Sequence, residues 1–353
     1  MANWGLLDAV AAGNDLRVEM ALVQGAAVDS KNVAGESALS VAVRVRCVAV
    51  VGRLLTAGAA VDKAGADGWT PLSNAVRWGG VAVVERLLTA GAAVDKAGAD
   101  GRWPLIIAVQ RGCVAVVDRL LAAGAAVDKT SKDGRTPLII AAPRCCVAVV
   151  DRLLAAGASV DKASKDRTCA SGTTPLISAT RWGCVAVVDR LLAAGAAVDH
   201  TVKDGRTPLI NAAQRGCVAM VDRLLAAGAA VDKTSKDGTT PLFIAAAYKH
   251  LAVVRQLLAA GAVVDTAASY GTLSIIAGMF DHRATVAVIG EEHRWHRRRT
   301  LLMCLVRCSA TDRPDEAGRP RTNIGSSGAD RPLALLRLAE LSPSLWRGIL
   351  QYL

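Results

Sequence analysis

A five-residue phrase, Gly-Ala-x-Val-Asp, returns along the chain with its glycine at Gly25, Gly58, Gly91, Gly124, Gly157, Gly195, Gly228 and Gly261. Six of the intervals are 33 residues and one is 38. A second phrase, Thr-Pro-Leu, holds the same register with its leucine at Leu72, Leu138, Leu176, Leu209 and Leu242, and the variants Trp103-Pro104-Leu105 and Ser37-Ala38-Leu39 fall in line with it. A unit of this size cannot bury an apolar face by itself, so neighbours must stack to make a continuous interior. A length of 353 residues would otherwise suggest two or three globules. The period predicts one elongated domain instead, with eight units and a degraded ninth over residues 270–289. The five extra residues of the long interval lie between residues 162 and 172, around Arg167, Thr168, Cys169 and Ala170.

Each unit reads as a pair of short helices. Thr70 supplies a capping oxygen, and Pro71 follows where a helix needs no amide hydrogen. Leu72, Ala75 and Val76 give the first helix a small-residue face. Gly79-Gly80 end it, and Val83, Val84, Leu87 and Leu88 form the apolar stripe of a second helix. Gly91 suits the residue after a helix end, where φ is positive. Residues 94–101, with the Asp100-Gly101 step, predict an extended strand that turns back.

The run Asp-Gly-Arg-Thr-Pro-Leu-Ile-Ile-Ala-Ala over residues 133–142, with Val-Ala-Val-Val-Asp-Arg-Leu-Leu-Ala-Ala-Gly-Ala downstream, resembles the ankyrin repeat. The resemblance spans residues 1–290. It implies a mainly α solenoid of stacked helix pairs with short projecting β-hairpins, a non-catalytic protein-binding role, and no cofactor. The family usually has His after Thr-Pro-Leu, where this chain has Ser73, Ile106, Ile139, Ile177, Ile210 or Phe243. Pro143 sits late in a first helix, where it removes a hydrogen bond, so that unit is expected to fray.

Nine cysteines are an odd number in a long chain, which favours reduced thiols and a cytoplasmic or nuclear compartment. Cys47, Cys113, Cys146, Cys184 and Cys217 align in one file with Gly80 and His250. A tetrahedral metal site needs four ligands converging on one ion. One ligand per stacked layer does not converge, so these cysteines are expected to be small apolar fillers and no metal site is expected. No apolar stretch is long enough to span a membrane. The amino-terminal stretch carries Asp8 and no basic leader, unlike a secretory signal.

In the resembled family, partners meet the hairpin tips and the variable residues at the end of the first helix. Carried onto this chain, that implies a partner-binding set of Trp69, Arg102, Arg135 and Arg206 on tips, with Arg77, Trp78, Arg111, Arg144, Arg181, Trp182, Arg215 and Tyr248 at helix ends. The net charge of +11 is partly gathered there. Arg, Trp and Tyr are the usual anchors of interfaces. An acidic protein segment is the expected partner. Asp67, Asp100, Asp133, Asp204 and Asp237 stand beside the tip bases and argue against nucleic acid, as does the lack of a nucleic-acid module. The Asp-Arg pairs at residues 118–119, 151–152, 189–190 and 222–223 balance each other elsewhere.

The composition shifts near the end, where residues 281–353 hold twelve Arg, no Lys and eight acids. Residues 291–308 read as a basic helix that caps the stack. His293, His296, Cys304 and Cys308 lie within it, in the wrong order for a zinc finger. Residues 309–332 read as a flexible linker. Residues 333–353 read as helices, and Leu345, Trp346, Ile349, Leu350 and Tyr352 resemble the opening helix of an F-box, with a fainter likeness to a SOCS box at residues 332–337. Either resemblance implies a ubiquitin-ligase subunit as a second partner and a substrate-adaptor role. No nucleophile, base and orienting carboxylate share a recognisable spacing, and no phosphate-cradling loop occurs, so no enzyme is expected.

Overall fold

The computed structural model describes residues 5–65, 68–78, 80–98, 100–165 and 172–263. Among these residues, sixteen α-helices form eight consecutive pairs. They are α1 (Leu6–Ala11) with α2 (Asp15–Val23), α3 (Ala38–Val45) with α4 (Val48–Thr56), α5 (Pro71–Trp78) with α6 (Val81–Thr89), and α7 (Pro104–Arg111) with α8 (Val114–Ala122). Then come α9 (Pro137–Ala141) with α10 (Val147–Ala155), α11 (Pro175–Trp182) with α12 (Val185–Ala193), α13 (Pro208–Arg215) with α14 (Val218–Ala226), and α15 (Pro241–Ala247) with α16 (Leu251–Ala259). First helices pack on first helices and second helices on second helices, from α1 against α3 to α14 against α16.

Helices this short are marginal in water, so packing between layers must supply their stability. One apolar cluster runs from Leu6 to Ala262. The leading leucine of each Leu-Leu pair, Leu54, Leu87, Leu120, Leu153, Leu191, Leu224 and Leu257, is wholly buried. Each such side chain contributes roughly 1.5–3 kcal/mol. The capping reading holds as well. Thr70, Thr136, Thr174, Thr207 and Thr240 accept the amide three residues on at 3.0–3.3 Å. Trp103 caps nothing; its indole N–H donates to the Thr130 carbonyl at 2.8 Å, and the Lys129 ammonium lies 3.6 Å from a ring centroid.

The tips turn back as expected, but few backbone bonds cross them: Ser131 N–H donates to the Arg135 carbonyl at 2.9 Å, and in the tip with the most ladder-like pairing Asn32 N–H donates to the Glu36 carbonyl at 2.9 Å and Ala38 N–H to the Ser30 carbonyl at 3.1 Å. Lys31 and Ser37 make the one β-bridge among the described residues. A two-stranded ribbon draws its stability from side-chain pairs across its face, and tips of Ala, Gly, Ser and Lys provide few.

The aspartate that ends each Gly-Ala-x-Val-Asp phrase has a role that the repeat period did not reveal. Its carboxylate accepts a backbone amide from the next unit: Asp29 from Ala60 at 3.1 Å, Asp62 from Ala93 at 3.1 Å, Asp199 from Ala230 at 3.1 Å and Asp232 from Val263 at 3.0 Å. The lysine 34 residues on often donates to the same aspartate's carbonyl, as Lys233 does to Asp199 at 2.7 Å. Similarly, the Asp-Arg pairs balance each other between layers. Arg152 reaches Asp118 at 3.2 Å, Arg190 reaches Asp151 at 3.4 Å and Arg223 reaches Asp189 at 3.2 Å. These pairs are half exposed, so each adds little.

The fifth unit departs from the rest, as Pro143 led us to expect. Helix α9 stops after five residues and a 3-10 turn, Ala142–Arg144, takes over. Pro143 has no N–H for the Ile139 carbonyl four residues back, and the buried Ser178 hydroxyl of α11 donates to that carbonyl instead, at 3.4 Å. The reading of all cysteines as reduced fillers needs correction here. Cys145 and Cys184 are joined in a disulfide. The turn residue of one unit lies diagonally beside the file position of the next, and only here do both hold cysteine among the described residues. Cys47, Cys113, Cys146 and Cys217 remain free and half-buried.

The expected ninth unit, the inserted residues 166–171, the helix at 291–308, the linker at 309–332 and the end helices with Leu345, Trp346, Ile349, Leu350 and Tyr352 lie outside the described residues.

Candidate functional site

Two open cavities lie where tips and first-helix ends meet. The first, of about 500 Å³, is lined by Arg102, Lys132, Arg135, Pro143, Arg144, Arg181 and Trp182 among others. The second, of about 520 Å³, is lined by Arg181, Arg206, Asn211, Gln214, Arg215, Tyr248 and His250. Arg181 belongs to both, so the two cavities adjoin. The structure therefore brings together Arg102, Arg135, Arg144, Arg181, Trp182, Arg206, Arg215 and Tyr248. It leaves Trp69, Arg77, Trp78 and Arg111 outside both cavities. Trp69 is half-buried with the Arg77 guanidinium 5.3 Å from its ring centroid, and Trp78 packs against the core.

The arginines of this surface differ in how their charge is answered. On the tips, Arg102 pairs with Asp100 at 3.1 Å and Arg206 with Asp204 at 3.5 Å. Each also donates to a glutamine of its own first helix: Arg102 to Gln110 at 3.2 Å and Arg206 to Gln214 at 2.9 Å. Arg215 donates to the Arg181 carbonyl at 2.5 Å. By contrast, Arg111, Arg144 and Arg181 are exposed and pair with no acid among the described residues. Trp182, 61% exposed, stands beside the last of them.

Other polar groups in the second cavity are partly engaged. Gln214 donates to the Tyr248 hydroxyl at 3.1 Å, and the Tyr248 ring stacks on His250 with centroids 6.3 Å apart. Asn211, 4% exposed, has a buried Nδ2 with no partner among the described residues. The repeat register gave no sign of Asn211, because the residues aligned with it are mostly apolar. No cluster of three or more His, Cys, Asp or Glu suited to a metal ion occurs among the described residues. No described helix is long and apolar enough to cross a membrane.

The family model for ankyrin repeats (3 copies) matches residues 6–98, 83–166, 105–202 and 186–268. The chain belongs to the ankyrin repeat family. Ankyrin repeats are protein–protein interaction modules, generally without catalytic activity of their own. A search of curated proteins finds no match to this chain.

Proposed function

We propose that this ankyrin stack is a non-catalytic scaffold, acting in the cytoplasm or nucleus, that binds an acidic segment of another protein along the two adjoining cavities. The observation that supports the reading is the pair of exposed arginines in the first cavity without acidic partners among the described residues, Arg144 and Arg181, with the exposed ring of Trp182 in the same lining. A carboxylate side chain would answer each of these charges, and the ring offers flat apolar area next to them. Asn211 Nδ2 would donate to a carbonyl or carboxylate of the same segment. The acids beside the tip arginines, Asp100 and Asp204, weigh against a polyphosphate backbone, which would meet repulsion there.

The test is fluorescence anisotropy of a labelled glutamate-rich peptide on the full chain, compared with its lysine counterpart and with single-stranded RNA and DNA. Reversing Arg144 and Arg181 to Glu should weaken binding of the acidic peptide by at least about tenfold and should not weaken binding of the basic one. Equal binding of the acidic peptide by the reversed chain, or stronger binding of RNA or DNA, removes the proposal.

A further inference from the structure

In every other described unit, the amide of the residue that opens the second helix donates five residues back into the first helix. Examples are Cys113 to the Ala108 carbonyl at 3.2 Å, Cys184 to Ala179 at 3.1 Å and Cys217 to Ala212 at 3.3 Å. The fifth unit has no counterpart at Cys146, because Pro143 has already turned the chain into a 3-10 path. What closes the junction instead is covalent. Cys145 takes the left-handed position, φ 54°, that Gly112, Gly183 and Gly216 occupy elsewhere, and its sulfur is bonded to Cys184 in the next unit. The two Cα atoms are 5.1 Å apart, within the usual range for a disulfide.

The same diagonal proximity recurs at two other junctions. A Cβ placed on Gly13, the turn residue of the first unit, would lie 3.9 Å from the Cβ of Cys47 in the second. On Gly216 it would run into the His250 ring. At these junctions, as at Cys145, a side chain on the turn residue meets the residue that heads the next unit's second helix, whereas at Gly183 it would meet Arg215 and at Gly112 it would meet nothing within 4 Å. The two halves of the bridge differ in access: Cys145 is exposed, whereas Cys184 is 3% exposed.

We infer that the Cys145–Cys184 bridge is a reversible thiol–disulfide lock, opened by small thiols of the glutathione class, that fixes the Ala142–Arg144 turn against the sixth unit. A small thiolate attacks the exposed Cys145 sulfur. The S–S bond breaks, its electron pair leaves on the Cys184 sulfur, and that thiolate takes a proton from water. A second small thiolate then attacks the small-molecule sulfur of the mixed disulfide and releases Cys145 as a thiolate. In sum the protein disulfide gains two electrons and two protons, and two small thiols become one small disulfide. The reverse exchange, with that small disulfide as oxidant, closes the lock. Arg144 directly precedes Cys145, and Arg181 and Trp182 lie just ahead of Cys184. The lock therefore sets the spacing of the two walls of the first cavity. Its effect on ligand binding rests on the acidic-segment reading; its effect on the chain itself does not.

The test uses the full chain equilibrated with oxidised or reduced glutathione. After alkylation of free thiols and tryptic digestion, mass spectrometry should find residues 145–152 linked to residues 182–190 in the oxidised sample, and both cysteines alkylated in the reduced one. Under native conditions, trypsin should cut after Arg144 about tenfold faster in the reduced chain, because the turn then opens more often. Cys145→Gly supplies the residue that Gly13, Gly112, Gly183 and Gly216 provide at this left-handed position in other turns, so it should fold and should be cut at one rate in either buffer. A glutamate-rich peptide should bind the oxidised chain more tightly than the reduced one. Equal tryptic rates for the oxidised and reduced chain, alkylation of both cysteines in oxidised glutathione, or equal peptide binding in both states would overturn the lock. If neither state binds the peptide, the acidic-segment reading fails while the tryptic rates still decide the lock.

Discussion

The fifth and seventh units carry nearly the same second helix, Val-Ala-Val-Val-Asp-Arg-Leu-Leu-Ala against Val-Ala-Met-Val-Asp-Arg-Leu-Leu-Ala, yet their first helices differ. Helix α13 runs eight residues, is capped by Thr207 and ends on Gly216 at φ 70°. Helix α9 has the same kind of cap in Thr136 but stops after five residues. The contrast separates two sources of order. The second helices hold the stack through buried leucine and valine, and that layer passes unbroken through the fifth unit. The first helices hold the exposed wall, and there the fifth unit replaces backbone hydrogen bonds with a neighbour's hydroxyl and a disulfide.

If the buried layer is truly shared, truncating it should cost the same in both units. Leu153→Ala and Leu224→Ala each remove a wholly buried side chain. Each should lower stability by about 2–5 kcal/mol in urea unfolding, with the two values close to each other. A loss at Leu153 well below that at Leu224 would mean that the fifth unit is loose throughout.

The next largest effect should belong to the fifth unit alone. Cys184→Ala should lower stability under oxidising conditions by about 2–4 kcal/mol and change it little once thiols are reduced. The corresponding change in the seventh unit, Cys217→Ala, removes a free, half-buried thiol and should show no such dependence on reductant. Calorimetry of both variants with and without reductant reads the difference.

Ser178→Ala then probes the repair of the broken helix. The hydroxyl is the donor that the Ile139 carbonyl lacks because of Pro143. Its loss should cost about 1–3 kcal/mol, since a buried acceptor is left without a partner. Adding Pro143→Ala supplies an amide for the same carbonyl, so the double variant should recover most of that loss. Recovery is the informative result; a loss of the same size in both backgrounds would show that Ser178 acts through something other than this carbonyl.

These contrasts also mark what could be read from the chain before its structure. Helix pairs, caps, the turn glycines and the fraying at Pro143 follow from local chemistry: Thr-Pro, positive φ and a missing amide act within a few residues of themselves. The Asp29-to-Ala60 class of bond, the layer-to-layer Asp-Arg pairs and the Cys145–Cys184 bridge join residues more than 30 positions apart. Alignment of the repeats put the cysteines of successive units in one file, but the bond runs from that file to the turn position beside it. That diagonal depends on how one layer is rotated over the next, which no single unit encodes. The candidate surface was legible to the same degree. Tip and helix-end residues from the fourth unit onward meet around shared cavities, but Trp69 and Trp78 are partly spent on internal packing. Which arginines keep an unanswered charge depended on acids placed by the fold.

The smallest effect comes from two tips of identical sequence, Ser-Lys-Asp-Gly, at residues 131–134 and 235–238. In the first, the Ser131 hydroxyl accepts the Arg135 amide at 3.3 Å. In the second, the Ser235 hydroxyl donates to the Asp237 carboxylate, which also accepts the Thr239 amide at 3.3 Å. The Ser235 hydroxyl is the main reason that the Asp237 carboxyl titrates below its ordinary value of 3.8, against a smaller opposing effect of burial. A depressed folded value means that the carboxylate form is favoured by folding. The added stability is thus fully present above the unfolded value near 4 and is lost as pH falls through the folded one. Its size should be below about 1 kcal/mol, because the tip is partly in water. Ser235→Ala should flatten the acid limb of the stability profile by that amount, whereas Ser131→Ala should leave the limb unchanged. An equal flattening by both would mean that the two tips share one hydrogen-bond pattern in solution.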